Sequence, residues 1–316
     1  MSGRLLFLLM LVLATPACSQ APTPPPAKKT EAKPAITPAA APTGAVAPRI
    51  NPARAMQYVR EIVGIGPRPV GSSGHRKLET YLRAHLQGDS LEVDEFAATT
   101  PAGSFTMRNY IARYPGTKDG VIVIATHYDT NYPLKNFVGA NDGGSGTGLL
   151  LELANQLRGG KREGASVWLV WLDGEEAFKQ WTATDSVYGS RHLAEKWQKD
   201  GTAKKIKAFL LLDMIGDADL NIDRDSNSTP ALLAVVQQAA TRLGYQSHFF
   251  RRTIEVEDDH RPFAAVGVPV ADLIDLDYGY GNAFWHTKED TLDKLSPRSL
   301  EIVGNVVLES VRVLGQ

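Results

Sequence analysis

The stretch SVWLVWLDGEEAF, residues 166–178, places two adjacent glutamates directly after an unbroken apolar run. An apolar run of this length, without alternating polar residues, is typical of a strand that is buried on both faces of a sheet. Neighbouring carboxylates repel each other, and a buried strand offers them no stabilising partner. The stretch therefore predicts a central strand of a covered sheet and a functional role for Glu175 and Glu176 at its carboxyl end.

Segments with strand-like and helical patterns alternate along the chain on both sides of this strand. The chain begins this pattern with a helix capped by Asn51 and started by Pro52, and with a second helix from about Ser73 to Leu86. The other predicted strands are LEVDEFAAT, FTMRNYIARY, GVIVIATH, AFLLLDMIG and GVPVADLI. The other predicted helices are SGTGLLLELANQLRG, VYGSRHLAEKWQK, TPALLAVVQQAATRLG and SPRSLEIVGNVVLESVRVL. This order predicts an α/β fold with a mixed, mostly parallel central sheet that helices cover on both faces.

The N-terminal residues predict export rather than a folded element. Arg4 precedes an apolar run over residues 5–13 and a small-residue exit, which together are typical of a signal peptide over residues 1–17. Residues 18–50 are mostly Ala, Pro, Thr and Lys, so they predict a disordered tether. The catalytic α/β domain is then expected over residues 51–316.

The net charge and the cysteine content restrict the partners and the location that we expect for the chain. The formal net charge of −1 argues against nucleic acid as a partner. Cys18 is the only cysteine, so no disulfide supports the domain. It resembles the lipid-modified cysteine of bacterial lipoproteins, with ordinary cleavage after Ala17 as the alternative. We therefore expect a monomer that is secreted across the inner membrane, either periplasmic or anchored in the envelope only through a lipid on Cys18.

Polar residues gather where the predicted strands end. They are His127 and Asp129, Glu175 and Glu176, Asp213, and Asp272 and Asp275. In open α/β sheets, ligands bind beyond the carboxyl ends of the strands. Acids scattered over a surface would not keep to one edge of a sheet. The placement therefore predicts a functional site at this edge.

Three residues form a candidate metal site. Asp142 in GANDGGSG, Glu176, and His286 in FWHTKED offer two carboxylates and one imidazole. Three protein ligands with a fourth position left open are what a catalytic zinc site requires. Taken alone, Asp142 fits a helix cap better than a ligand, so the prediction depends on the joint placement. Only one of two adjacent glutamates can face the metal, which leaves Glu175 free as a general acid/base.

Several stretches also resemble a known family. ATHYDT, GANDGGSG, WLDGEEAF, LLLDMIGD and WHTKEDTLDKLS are similar to the zinc aminopeptidase family with the phosphorylase/hydrolase-like fold. Within that family, DGEEAF followed by Trp181, DSVYGSRHLA, EDDHRPF and FWHT resemble glutaminyl cyclases. The resemblance covers nearly everything after residue 51. It implies a zinc enzyme that converts the N-terminal Gln of peptides or proteins to pyroglutamate and releases ammonia.

The resemblance implies further residue roles. Trp181 and Trp285 would form walls of the substrate pocket, and Glu175, Asp213 and Asp258 would carry protons. A single Zn²⁺ would be neutralised by its two carboxylate ligands, so these three remaining acids would have to share protons. A shared proton is what transfer from an amine to departing ammonia needs. One zinc ion is therefore favoured.

A zinc aminopeptidase that removes N-terminal residues is the alternative function. The peptidases of the family usually hold two zinc ions, and His127 and Asp213 would then complete a second metal site. One departure from the animal cyclases stands out, because Asp272 occupies a position where they often carry histidine. A binding protein with an inactive site is the least favoured class, since none of the ligands is missing.

Overall fold

The computed structural model describes residues 49–159 and 162–316 of the chain. The predicted signal peptide, Cys18 and the predicted tether as far as Pro48 lie outside the described residues. Ile50 comes just before the predicted start of the domain, yet it is buried and its N–H donates to Asn305 Oδ1 at 3.0 Å. Across the described ranges, no helix is long and apolar enough to cross a membrane.

A six-stranded mixed sheet with the order β1-β2-β4-β3-β5-β8 forms the centre of the domain. The strands are β1 (Ser90–Thr100), β2 (Gly103–Tyr114), β3 (Gly116–His127), β4 (Arg162–Leu172), β5 (Ile206–Asp213), β6 (Ile222–Asp225), β7 (Phe249–Ile254) and β8 (Val270–Ile274). The pairs β1–β2 and β2–β4 are antiparallel, whereas β4, β3, β5 and β8 run parallel. Strands β6 and β7 form a separate two-stranded parallel sheet.

The apolar run of β4 is explained by its central position. Val170 pairs with Ile111 of β2 on one side and with Ala125 of β3 on the other. The neighbouring strands exclude water along both edges, and helices exclude it from both faces. A polar residue in the strand would therefore lose its hydration without gaining a partner.

Helices cover both faces of the sheet, as the sequence predicts. They are α1 (Pro52–Gly64), α2 (Ser73–His85), α3 (Gly144–Leu157), α4 (Tyr188–Lys199), α5 (Pro230–Arg242), α6 (His260–Ala265) and α7 (Pro297–Leu314). Alternate residues of β3 serve the two faces. Ile124 belongs to the larger core, which includes apolar residues of α1, α3 and α7. Val123 belongs to the second core, with Trp197 of α4 and Phe263 of α6. The predicted fold class is confirmed.

Some details of the fold differ from the predictions. Strands β6 and β7 and helix α6 were not expected, because β6 is only four residues of the polar sequence IDRD and α6 is six residues long. The prediction that Asp272 lies at the end of its strand is wrong. Asp272 is in the middle of β8, where it pairs with Leu211 of β5 and is fully buried.

Candidate active site and metal centre

The three predicted metal ligands converge at the carboxyl edge of the sheet. His286 Nε2 lies 3.3 Å from Asp142 Oδ2 and 3.3 Å from Glu176 Oε1. Asp142 precedes α3, Glu176 follows β4, and His286 lies between β8 and α7. His286 has a positive φ of 51°, which is uncommon for a residue with a side chain. The long loop before α7 thus delivers the imidazole to two carboxylates that the sheet positions.

This arrangement fits a metal ion. Asp142 Oδ2 and Glu176 Oε1 are buried and accept no hydrogen bond within the described residues, although His286 Nε2 lies 3.3 Å from each oxygen. A buried carboxylate oxygen is unfavourable unless it is paired or coordinates a metal. Ligands at about 2.0–2.1 Å from a tetrahedral zinc ion lie about 3.3 Å from one another, which is the spacing seen here. The donor set and its spacing therefore fit a zinc ion.

A second candidate position adjoins the first. His127 Nε2 lies 3.2 Å from Asp142 Oδ1 and 3.1 Å from Asp213 Oδ1. Asp142 therefore faces one imidazole with each of its two oxygens. The structure thus brings together the predicted second set, His127 and Asp213, and the residues have room for one ion or two.

Hydrogen bonds to buried side chains fix the loop that carries Asp142. Asp290 accepts the backbone N–H of Asn141 at 2.8 Å and that of Asp142 at 3.1 Å. It also accepts the hydroxyl of Tyr278 at 2.8 Å. The buried guanidinium of Arg68 donates to the carbonyl oxygens of Val138 and Gly139, earlier in the same loop. Burial lowers the pKa of Arg68 to about 10, against the opposing effect of Asp290, Asp142 and Asp129.

The loop that carries the two glutamates is held in the same way. Asp129 accepts the backbone N–H of Glu175 at 3.1 Å and that of Glu176 at 3.3 Å. The side-chain amide of Asn131 donates to Glu176 Oε2 at 2.8 Å, which orients the carboxylate toward His286. Asp129, which the sequence placed at the end of a strand, thus accepts backbone N–H groups, and its Oδ1 also lies 3.6 Å from His127 Nδ1.

Backbone hydrogen bonds from the segment DSVYGSRHLA also fix the loop of Glu175 and Glu176. The N–H groups of Val187, Tyr188 and Gly189 donate to the carbonyl oxygens of Glu175, Gly174 and Asp173 at 2.8, 2.8 and 2.9 Å. A Cβ atom on Gly189 would lie 2.4 Å from the carbonyl oxygen of Asp173, so the close approach requires glycine. The start of α4 is therefore part of the framework of the active site.

Two tryptophans line the cavity that contains the candidate ligands. Trp181 and Trp285 are 36% and 39% exposed, in a cavity of about 470 Å³ that Glu175 and Asp258 also line. The ring of Trp285 stacks on His286 with centroids 4.3 Å apart. Their place at this cavity agrees with the predicted role as pocket walls, which stays a prediction.

A group of buried carboxyls lies beside the metal centre. Burial raises the pKa of Glu175 well above its usual range, and Glu176 and Asp258 add to the rise while His127 opposes it. Burial also raises the pKa of Asp258, and Asp213 and its neighbour Asp259 add to this rise. Each carboxyl that ionises in this group therefore disfavours ionisation of its neighbours.

His260, Asp225 and Asp272 form a second buried cluster of titratable side chains. The imidazole of His260 has Nε2 at 3.2 Å from Asp225 Oδ2 and Nδ1 at 3.6 Å from Asp272 Oδ2. Asp272 therefore contacts His260 and is not one of the side chains around His286. Asp275, the other acid predicted at this strand end, follows β8 and accepts the N–H of Asn221 at 2.7 Å.

Comparison with known proteins identifies the family. Residues 109–311 match Peptidase family M28, and the chain belongs to this family. A glutaminyl-peptide cyclotransferase of Drosophila melanogaster is 32% identical over 253 residues, which are 71% of this chain and 70% of the relative. Within family M28, the chain belongs to the glutaminyl-peptide cyclotransferases, and the predicted resemblance is confirmed.

Solved structures agree with this assignment. The crystal structure of an Acidobacteriales bacterium glutaminyl cyclase has a TM-score of 0.84 and 54% sequence identity, over 88% of this chain and 99% of that one. The Porphyromonas gingivalis glutaminyl cyclase has a TM-score of 0.74 and 30% identity, over 84% of this chain and 98% of that one. Both similarities extend over most of the described domain.

Replacement of His286 tests the metal centre. We expect His286→Ala to weaken zinc binding by more than about 100-fold, because loss of a direct ligand exceeds the 10- to 100-fold effect of losing an indirect partner. His192→Ala is the control, because that half-exposed imidazole stacks on Phe96 away from the site. Zinc content and affinity are measured by competition with a chelator. Wild-type affinity in His286→Ala would remove His286 from the ligand set.

Proposed function

We propose that this protein is a zinc-dependent glutaminyl-peptide cyclotransferase. It acts on peptides or proteins with N-terminal glutamine and forms pyroglutamate. The observation that carries the proposal is a buried carboxyl, Glu175, next to the candidate ligand Glu176 in a cavity that two tryptophans line. Such a group holds or releases a proton next to the reacting atoms. The relatives named as glutaminyl cyclases support the same reaction.

The reaction is an intramolecular aminolysis. The neutral α-amine of the substrate attacks the carbon of its own side-chain amide, and a carbon–nitrogen bond closes a five-membered ring. The bond to the amide nitrogen breaks, and that nitrogen leaves as ammonia. One proton must pass from the attacking amine to the leaving nitrogen. We assign this transfer to Glu175, with Asp213 and Asp258 as the neighbouring carboxyls that share its proton.

The metal site would hold one zinc ion through Asp142, Glu176 and His286. The chemistry that zinc supplies when bound is Lewis-acid polarisation of the substrate carbonyl. One ion is favoured because Asp142 and Glu176 already balance its charge. Asp213 and Glu175 then stay within the proton-sharing cluster, whereas a second ion on His127 and Asp213 would remove the proton from it. Trp181 and Trp285 would enclose the uncharged amide side chain between flat aromatic faces.

The alternative is a zinc aminopeptidase, because the residues that a second zinc ion would need are present. In that alternative, His127 and Asp213, whose Nε2 and Oδ1 atoms lie 3.1 Å apart, would hold the second ion. The relatives that cover most of the chain favour cyclisation.

A pair of peptides that differ only in their first residue tests the reaction. We expect the peptide with N-terminal Gln to release ammonia without shortening, and the peptide with N-terminal Leu to stay intact. Mass spectrometry of both products and an ammonia assay give the answer. Free amino acid released from either peptide would favour the aminopeptidase instead.

Replacement of Glu175 tests the proton transfer. Glu175→Gln is nearly isosteric, so we expect zinc content to stay unchanged while kcat falls by about 100- to 10,000-fold. Glu163→Gln is a matched control, because Glu163 is exposed near the opposite end of the same strand. Near wild-type turnover by Glu175→Gln would assign the proton transfer to another group, with Asp213 the first candidate.

We also propose that the protein is exported across the inner membrane and anchored through a lipid on Cys18. The apolar run near Arg4 and the single cysteine at the end of the predicted signal peptide support this location. Cys18→Ser should move the protein from the membrane fraction to the soluble periplasmic fraction without changing its activity. A wild-type protein that is already soluble would contradict the lipid anchor but leave export in place.

A further inference from the structure

A second cavity opens next to the catalytic one, between helices α4 and α6. Its volume is about 810 Å³. It shares Trp181, Glu257 and Asp258 with the catalytic cavity as lining residues. We call this second cavity the α4–α6 groove. Since both cavities include the same three residues, the groove is adjacent to the place where a bound N-terminal residue would react.

Small apolar side chains line the groove between the two helices. They are Ala194 of α4, Pro262, Ala264 and Ala265 of α6, and Val266. Side chains this short leave the space between the two helices open. Apolar side chains in a cleft of this size are typical of sites that bind ligands.

Apart from Asp258, which the groove shares with the catalytic cavity, its rim has two basic and two acidic side chains. They are Arg191 and Arg261, and Glu195 and Glu257. The side-chain amide of Gln198 is exposed and has no hydrogen-bond partner among the residues that the structure describes. An amide offers both a donor and an acceptor, which are the groups that an extended peptide backbone needs. The balanced charge does not favour a polyanion or a strongly basic partner.

We propose that the α4–α6 groove binds the residues that follow the N-terminal glutamine of a peptide substrate. This inference rests on the proposed cyclase function. The catalytic cavity holds the reacting residue, so the rest of the peptide has to continue elsewhere. The groove begins at Trp181 and Glu257, and it offers small side chains for apolar contact and an amide for the backbone. The preferred substrates are therefore extended peptides with uncharged residues after the glutamine.

Substrates of two lengths test this inference. The probes are glutaminamide and an uncharged pentapeptide with N-terminal Gln. We expect a higher kcat/KM for the pentapeptide in the wild type. Ala265→Trp fills the groove from an exposed position, so it should lower the ratio of pentapeptide to glutaminamide kcat/KM by about tenfold. Ala84→Trp, at an exposed position of α2 outside both cavities, should leave the ratio unchanged.

The possible outcomes separate the inference from the proposed function. If the wild type releases ammonia from neither substrate, the cyclase function itself is wrong. If both substrates are cyclised and Ala265→Trp leaves the ratio unchanged, the groove does not bind the peptide. An equal fall of kcat/KM for both substrates would also overturn the inference. The substitution would then disturb the catalytic cavity and not the binding of the longer peptide.

Cross-linking of the wild type gives an answer that does not depend on how well a variant folds. The probe is the same pentapeptide with a benzophenone side chain at its fourth residue. We expect cross-links within residues 191–198 or 261–266. Cross-links that map only to other surfaces would place the peptide elsewhere and overturn the inference.

Discussion

Asp142 is the residue on which the rest of the site depends. Its two oxygens face the imidazoles of His286 and His127 at 3.3 and 3.2 Å. These imidazoles come from the loop before α7 and from the end of β3, which are distant in sequence. His127 and His286 together lower the pKa of Asp142 in spite of its burial, so it stays ionised. One short loop before α3 therefore decides where a metal ion and its neighbours lie.

The acids around Asp142 have two different tasks. Asp290 and Asp129 accept consecutive backbone N–H groups and hold the loops of the candidate ligands. Glu175 and Asp258 instead face the cavity, and burial raises their pKa values. Buried carboxyls thus hold the loops of the candidate ligands in one place and line the cavity in another.

Much of this arrangement could be predicted from the sequence, for identifiable reasons. The continuous apolar pattern of β4 indicates a buried strand, and the carboxyl ends of parallel strands meet at one edge of a sheet. The convergence of Asp142, Glu176 and His286 could be predicted from these two features. The contributions of Arg68, Asn131 and Asp290 could not be predicted. They act on backbone groups or on the side chains of distant residues, and such contacts leave no local periodicity. Asp272 was misplaced because the end of a strand is set by its partner strand, not by its own residues.

In the mechanism that we propose, a single metal ion acts beside a cluster of acids that retains a proton. The most direct measurement is a stoichiometric titration of zinc into chelator-treated protein, followed by the rate of ammonia release from a peptide with N-terminal Gln. The account predicts that activity rises linearly and reaches its full value at one zinc ion per chain. Activity that continues to rise until two ions are bound would contradict it, because the second ion would occupy His127 and Asp213 and displace the shared proton.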